Sequence, residues 1–380
     1  MSWENIIGQS RLKSLLQRTI ESKQLAQSYL FFGSDGVGKD AVAIEFAKAI
    51  NCEKQIGVAC DECSICKKIS QLQHPNLKLV FALPTTKESD DEDSSERKVK
   101  DDSVLSKLSN SVVEEIQSQL EEKANNPYFH IAIEKANAIR IASIREIKRE
   151  LSLSLFAEGK RVVIIFDAHL MNEEAQNAFL KTLEEPPPST IIILTTSRID
   201  KLKQTIISRC QQVQFDLLKE SEITNALIER KSISESQAKI IAQLANGNYA
   251  QALELLGEDL PARREHLLNF LRALATKSIA EISAEAESIA KDFSKQELSQ
   301  YLTLMLFWFR DVFMLQNGGT IINADQRESL QKFVQRYPTL DTQKAISSIE
   351  NALSLALKNV YIRLVLTTLA LELRSLFYTK

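Results

Sequence analysis

Eight residues limit this chain's fold more than any others: Gly33-Ser-Asp-Gly-Val-Gly-Lys-Asp40, holding three of the ten glycines within six positions. The stretch follows Ser28–Phe32 (SYLFF), an apolar run suited to a buried strand. It precedes Ala41–Ile50, where Val42, Phe46 and Ile50 fall on one helical stripe. A G-x-x-x-x-G-K string between strand and helix is the pattern of a phosphate-binding loop. Its glycines (Gly33, Gly36, Gly38) let successive backbone N–H groups point inward, and its lysine (Lys39) neutralises charge. Position eight departs from the pattern. A Ser or Thr hydroxyl ordinarily ligates Mg²⁺ there, whereas Asp40 brings a carboxylate toward phosphates. An Asp can still ligate Mg²⁺, so ATP binding is weakened as a reading, and a loop kept for its shape is the expectation.

The rest of the chain supports an α/β domain followed by helices. At 380 residues it is long enough for two or three domains, and 44% hydrophobic content can fill more than one core. Core patterns recur as helices at Arg11–Ser22, Ile139–Leu151 and Glu173–Glu184, and as strands at Arg161–Phe166, Thr190–Thr196 and Val213–Phe215. Strands alternating with helices imply a parallel sheet covered on both faces. After Leu217 no strand-like run remains. Glu222–Lys231, Ser236–Asn246 and Ala250–Leu256 read as a small helical unit, and Arg263–Lys380 as a separate bundle. Within the bundle, Tyr301–Asp311 (YLTLMLFWFRD) reads as core, with part of its face available to a neighbouring chain.

One segment breaks this order. Lys87–Asp102 is rich in acid and Ser and lacks apolar periodicity, so it reads as a solvated insertion. Val104–Lys123 then shows a helical stripe (Val104, Leu108, Val112, Ile116, Leu120), which the same insertion would include. The net charge of −3 excludes a wholly basic nucleic-acid binder. No apolar run has the length of a membrane span, and Met1-Ser-Trp-Glu lacks the start of a signal peptide, so the expected location is cytoplasmic.

Three further groups carry chemistry. Cys52, Cys60, Cys63 and Cys66 follow C-x7-C-x2-C-x2-C, and two overlapping C-x-x-C bites suit a closed four-thiolate Zn²⁺ site that is structural and not catalytic. Asp167 follows the strand Arg161–Phe166, where a second Mg²⁺-ordering carboxylate would sit. The next position, where an ATPase of this architecture usually has a Glu base, is Ala168. His169 is the nearby alternative base, against the plainer reading of a packing residue. Finally, Ser208-Arg209-Cys210 places an arginine after a strand; alone it reads as a surface ion pair.

Together, Trp3–Gln9 (WENIIGQ), Tyr29–Lys39, the cysteine module, Asp167–Pro187 (DAHLMNEEAQNAFLKTLEEPP) and Thr205–Cys210 (TIISRC) resemble the AAA+ clamp-loader family of bacterial DNA polymerase III. The resemblance covers roughly 1–84 and 128–256, and the C-terminal bundle only by position and helical character. It implies a RecA-like AAA+ domain over 1–216, with a zinc module at 52–75 and the acidic/helical insertion at 85–127. An all-α lid over 217–258 and an all-α collar over 259–380 would follow. It also implies membership of a hetero-pentamer with gamma/tau and delta subunits, acting on the sliding clamp and primed DNA through the assembly. Under the resemblance, Arg209 is a finger offered in trans to a neighbour's γ-phosphate.

A motor of this family carries Lys-Thr or Lys-Ser in the loop, Asp-Glu after the strand and an arginine in the lid. This chain has Lys39-Asp40, Asp167-Ala168 and, in Gly247-Asn-Tyr-Ala-Gln-Ala252, Ala250 at the arginine position. The three losses point to a non-hydrolysing stator, in which Thr195 and Thr196, at the family's first sensor, would only hydrogen-bond locally. Two alternatives remain: an active gamma/tau-like motor ATPase using Asp40 for Mg²⁺, and a zinc-containing nucleic-acid-binding module on a dead nucleotide fold.

Overall fold

The computed structural model describes residues 2–84, 104–152, 159–257, 260–319, 321, 323–357 and 361–378. Lys87–Asp102, expected as a solvated insertion, lies outside the described residues. The chain divides into two compact units, one made of 1–222 with 247–250, the other of 223–246 with 251–380. The 217–258 segment is thus shared between them.

The first unit is built on a five-stranded parallel sheet. Its strands are β1 (Ser28–Phe32), β2 (Leu77–Val80), β3 (Arg161–Ile165), β4 (Thr190–Thr196) and β5 (Gln211–Gln214), in spatial order β2-β3-β4-β1-β5. The sequences explain the order. RVVII and TIIILTT are buried at every position, as strands covered on both faces must be, and both lie inside the sheet. QQVQ buries only Val213, which an edge strand tolerates. β2 was not legible in advance, since LKLV is four residues long with a lysine inside it.

Around the sheet run α1 (Ser10–Glu21), α2 (Lys39–Asn51), α3 (Ser64–Ser70), α4 (Asn110–Asn125), α5 (Ile141–Ser152), α6 (Glu173–Glu184) and the single turn α7 (Gln204–Ile207). The stripe expected over 104–123 is a 3₁₀ turn, Leu105–Lys107, and then α4. The start expected at Ile139 shifts to Ile141, because Ile139 pairs with Met171 in an isolated bridge. One core packs α5 and α6 against the sheet through Ile144, Ile147, Phe179, Leu183, Val163 and Ile192. α2 is buried nearly all round. The C-terminal ends of β1, β3 and β4 converge at its first turn, the usual ligand edge of a parallel sheet.

All described residues after β5 that fall in regular elements are helical: α8 (Glu220–Lys231), α9 (Glu235–Ala245), α10 (Tyr249–Gly257), α11 (Leu260–Thr276), α12 (Ile279–Asp292), α13 (Lys295–Gln316), α14 (Arg327–Arg336), α15 (Thr342–Leu357), α16 (Ile362–Tyr378) and a 3₁₀ turn at Ala324–Gln326. In the second unit α13 packs on α11, α14 and α15. Ser278 and Ser294 start α12 and α13 with reciprocal capping boxes to Glu281 and Glu297. Tyr301 and Phe309 are fully buried, as the core reading of Tyr301–Asp311 requires. No helix among the described residues is long and apolar enough to cross a membrane.

Candidate functional site

The glycine loop has the shape its sequence implies. Gly36 and Gly38 take φ +66° and +98°, which side chains on Cβ disfavour, and Gly38 caps the N-terminus of α2. A Cβ on Gly36 would lie 1.6 Å from the Asn248 side-chain oxygen, so a larger residue would have to displace that side chain as well as adopt a left-handed φ. The loop's polar groups, however, are engaged by the chain itself. Lys39, 7% exposed, folds back and donates to the carbonyls of Gly33 (3.0 Å) and Ser34 (2.6 Å). Burial pulls its pKa down, against the carboxylates of Asp40, Asp35 and Asp167. Tyr249 N–H donates to the Gly36 carbonyl at 3.0 Å.

Asp40 is satisfied at both oxygens. Thr195 Oγ1 donates to Oδ1 at 2.7 Å, and Lys123 Nζ to Oδ2 at 2.9 Å. Burial alone would raise the Asp40 carboxyl, but the Lys123 ammonium, with the Thr195 hydroxyl and Lys39, holds it below the usual carboxylate range. Thr195 therefore bridges to the loop, and it is Thr196 that bonds nearby, to His169 Nδ1 at 3.1 Å. Asp167 sits beside this group, its N–H 3.4 Å from Thr195 Oγ1. Burial and then the Asp40 charge push its carboxyl up to about 6, against His130 and Lys39. Ala168 is fully buried. His169 is largely buried against Thr196, with burial lowering its pKa, which matches a packing role more than an exposed base.

Lys123 escaped the sequence reading, which stopped at an apolar stripe and a charge run. The signal was present: Lys123 continues the Val112, Ile116, Leu120 stripe by one helical step, and a lysine on an apolar face needs a buried partner.

At the other end of α2, the Sγ atoms of Cys52, Cys60, Cys63 and Cys66 all lie within 4.8 Å of one another, and Cys60 and Cys66 are 4.0 Å apart. A tetrahedral ion with metal–sulfur bonds of about 2.3 Å needs sulfur–sulfur separations of roughly 3.8 Å, so the four donors fit one metal. The knuckle is preformed: Cys63 N–H donates to Cys60 Sγ (3.3 Å) and Cys66 N–H to Cys63 Sγ (3.4 Å). Burial would raise the Cys60 thiol, but the N–H groups of Cys63 and Glu62 and the neighbouring thiols bring it down to about 6. All five cysteines are free of disulfides. Lys48 of α2 anchors the module by pairing with Asp61 at 2.5 Å, and Trp3 donates to the Gly57 carbonyl at 3.0 Å.

Arg209 stands apart from both. It donates through Nη1 to the Thr205 carbonyl (2.9 Å) and through Nη2 to Glu184, the last residue of α6, and its side chain stays 34% exposed. It precedes β5, in which Gln211 lies beside Tyr29 near the start of β1. Gly33 follows the end of β1. Four residues at about 3.3 Å each put Gln211, two positions after Arg209, roughly 13 Å from the loop along the strands. The structure thus brings together Gly33, Gly36, Gly38, Lys39, Asp40 and Asp167, gathers the cysteines separately, and leaves Arg209 facing outward.

A five-stranded parallel sheet, a glycine loop at its ligand edge, a four-cysteine knuckle and a helical C-terminal region define an AAA+-like α/β protein. Family models described as "DNA polymerase III, delta subunit" and its C-terminal part match residues 8–219 and 258–375. The chain belongs to the DNA polymerase III delta-prime subunit family. It is 26% identical to the delta-prime subunit of Bacillus subtilis over 92% of this chain and 90% of that one. It is 27% identical to subunit tau of the same organism over 88% of this chain, and spans only 55% of that relative's length. A solved gamma-subunit-related protein from Thermotoga maritima aligns over 96% of this chain and 99% of that one, with a TM-score of 0.41 and 16% identity.

Proposed function

We propose that this chain is the non-hydrolysing stator of a DNA polymerase III clamp loader. It joins gamma/tau and delta subunits in a hetero-pentamer that loads the sliding clamp onto primed DNA in the cytoplasm, and it lends Arg209 to a neighbour's ATP site. The observation that carries this reading is the pairing of Asp40 with Thr195 and Lys123 at the loop's metal position, with a methyl group, Ala168, where a general base is needed. Family membership supports the partners. The placement of Arg209 supports a role in trans: it leads into the start of β5, at the end of the strands remote from its own loop, and Glu184 holds its guanidinium at the surface. A guanidinium entering a neighbour's site would stabilise charge developing in phosphoryl transfer. The cysteines would hold one Zn²⁺, which in a closed thiolate shell has a structural role.

DNA-stimulated ATP turnover by the reconstituted assembly tests the reading. Arg209→Ala is expected to cut turnover at the adjacent site by about 10³-fold, the usual worth of an arginine finger, while Lys39→Ala leaves it unchanged. Damage from Lys39→Ala with none from Arg209→Ala would reverse the roles and make this chain a motor.

A further inference from the structure

Nothing in the motif dictates what fills the loop, yet one segment does so in detail. Lys123, in the last turn of α4, is 1% exposed. Its ammonium donates to Asp40 Oδ2 and to the Phe129 carbonyl, and lies 5.0 Å from the centroid of the Phe166 ring. A buried ammonium is costly unless paired and hydrogen-bonded, and here a carboxylate, a carbonyl and an aromatic face suit a cation and outweigh the repulsion from the nearby Lys39 ammonium. Its partner Asp40 stands at position eight and is linked through Thr195 to the polar end of β4 and to the Asp167 N–H after β3, the groups that a phosphate loop arranges around a metal. Five residues on, Tyr128 covers the same loop from outside. Its ring approaches to 3.0 Å of the position a Cβ on Gly38 would take. It stacks edge-on with Tyr249 (4.8 Å between centroids), and its hydroxyl accepts from Ile7 N–H at 2.8 Å.

We propose that Lys123 is a built-in occupant of the nucleotide loop: its ammonium stands in for the metal at Asp40, with Tyr128 packed beside the glycines, and magnesium nucleotide is thereby kept out. This rests on reading the loop as inactive and adds the agent that closes it. The device comes from outside the glycine motif, about 80 residues along the chain from Asp40. Restoring position eight alone therefore does not reopen the site.

The test is calorimetric titration of the full chain with MgATP, comparing wild type, Asp40→Thr, and the double variant Asp40→Thr/Lys123→Met. The expected order is no detectable binding at millimolar nucleotide for the first two, and binding by the double variant at least tenfold tighter than either. Binding by wild type within a few-fold of the double variant overturns the proposal, as does Asp40→Thr binding as well as the double variant, or a folded double variant that does not bind. Should the double variant lose its cooperative thermal transition, Asp40→Ser/Lys123→Met, which also restores a hydroxyl at position eight, is read in the same way. The Arg209→Ala turnover experiment does not touch this pocket. The stator reading can thus survive failure here, and a clamp-loader assembly that ignores Arg209→Ala leaves the plug intact.

Discussion

The two ends of α2 carry the chain's two short motifs, and they treat a cation differently. At the C-terminal end the four thiols gather within reach of one ion, with the Cys63 and Cys66 N–H groups already aimed at sulfur. At the N-terminal end the loop has the right backbone, but each side chain that would meet a ligand meets the protein instead. Spacing thus governs backbone shape at both ends, but only at the loop is occupancy decided by residues far away in sequence. One end presents four donors that fit an added cation, and the other supplies its own.

The widest gap between the two ends is expected on metal removal. Structural Zn²⁺ is worth about 10–16 kcal/mol in small zinc-folded peptides, and a part of that is expected to reach this larger unit. Purified chain should contain one Zn²⁺, and stripping it, or making Cys63→Ser, should unfold the knuckle and lower the thermal midpoint further than any substitution at the loop. Saturating MgATP should leave the wild-type midpoint unmoved, because a ligand that does not bind the folded state contributes no linkage stabilisation. Metal-free chain with an unchanged midpoint would erase the contrast from one side, and a MgATP-dependent rise would erase it from the other.

Lys123→Ala is the equivalent removal at the loop. It leaves Asp40, only 20% exposed, with Thr195 and the Lys39 charge but without its ion-pair partner. Breaking a buried pair from one side costs about 3–5 kcal/mol, whereas replacing both partners is often neutral. Urea unfolding should therefore show a large loss for Lys123→Ala and a much smaller one for Lys123→Met/Asp40→Asn. Equal losses would mean that Lys123 acts by packing on Phe166 and not as the loop's cation.

These outcomes also mark what the sequence could and could not disclose. β3, β4 and α6 were readable because uninterrupted apolar runs and a Pro stop leave one solution each. β2 was not, since four residues carry no period. The cysteine cluster was readable because all its donors lie in fifteen residues. The loop was readable as a shape but not as a closed site, because closure depends on Thr195 and Lys123, 155 and 83 residues from Asp40. Such pairings are made by tertiary packing and leave only an indirect trace in sequence, in this case one lysine continuing an apolar stripe.

The smallest effect separates the loop's two carboxylates. Asp40 is held ionised by Lys123, whereas Asp167 has no such partner: His130 and Lys39 offset only part of the burial and of the repulsion from Asp40 and Asp35. The Asp167 carboxyl therefore titrates at about 6 when folded against 3.8 when free. Between those values the folded state binds the extra proton, so this group's contribution falls as pH rises through the window, and the penalty is complete only above the folded value. Asp167→Asn removes it. The variant should be more stable than wild type at pH 8 by roughly 1–3 kcal/mol, and the gain should shrink toward nothing near pH 4, where wild-type Asp167 is neutral in the fold. Thermal midpoints measured across that range decide it. A gain that does not vary with pH would place the benefit in packing; a loss at pH 8 would mean that the Asp167 charge is needed where it sits, so that Lys123 alone does not complete the loop's internal cation site.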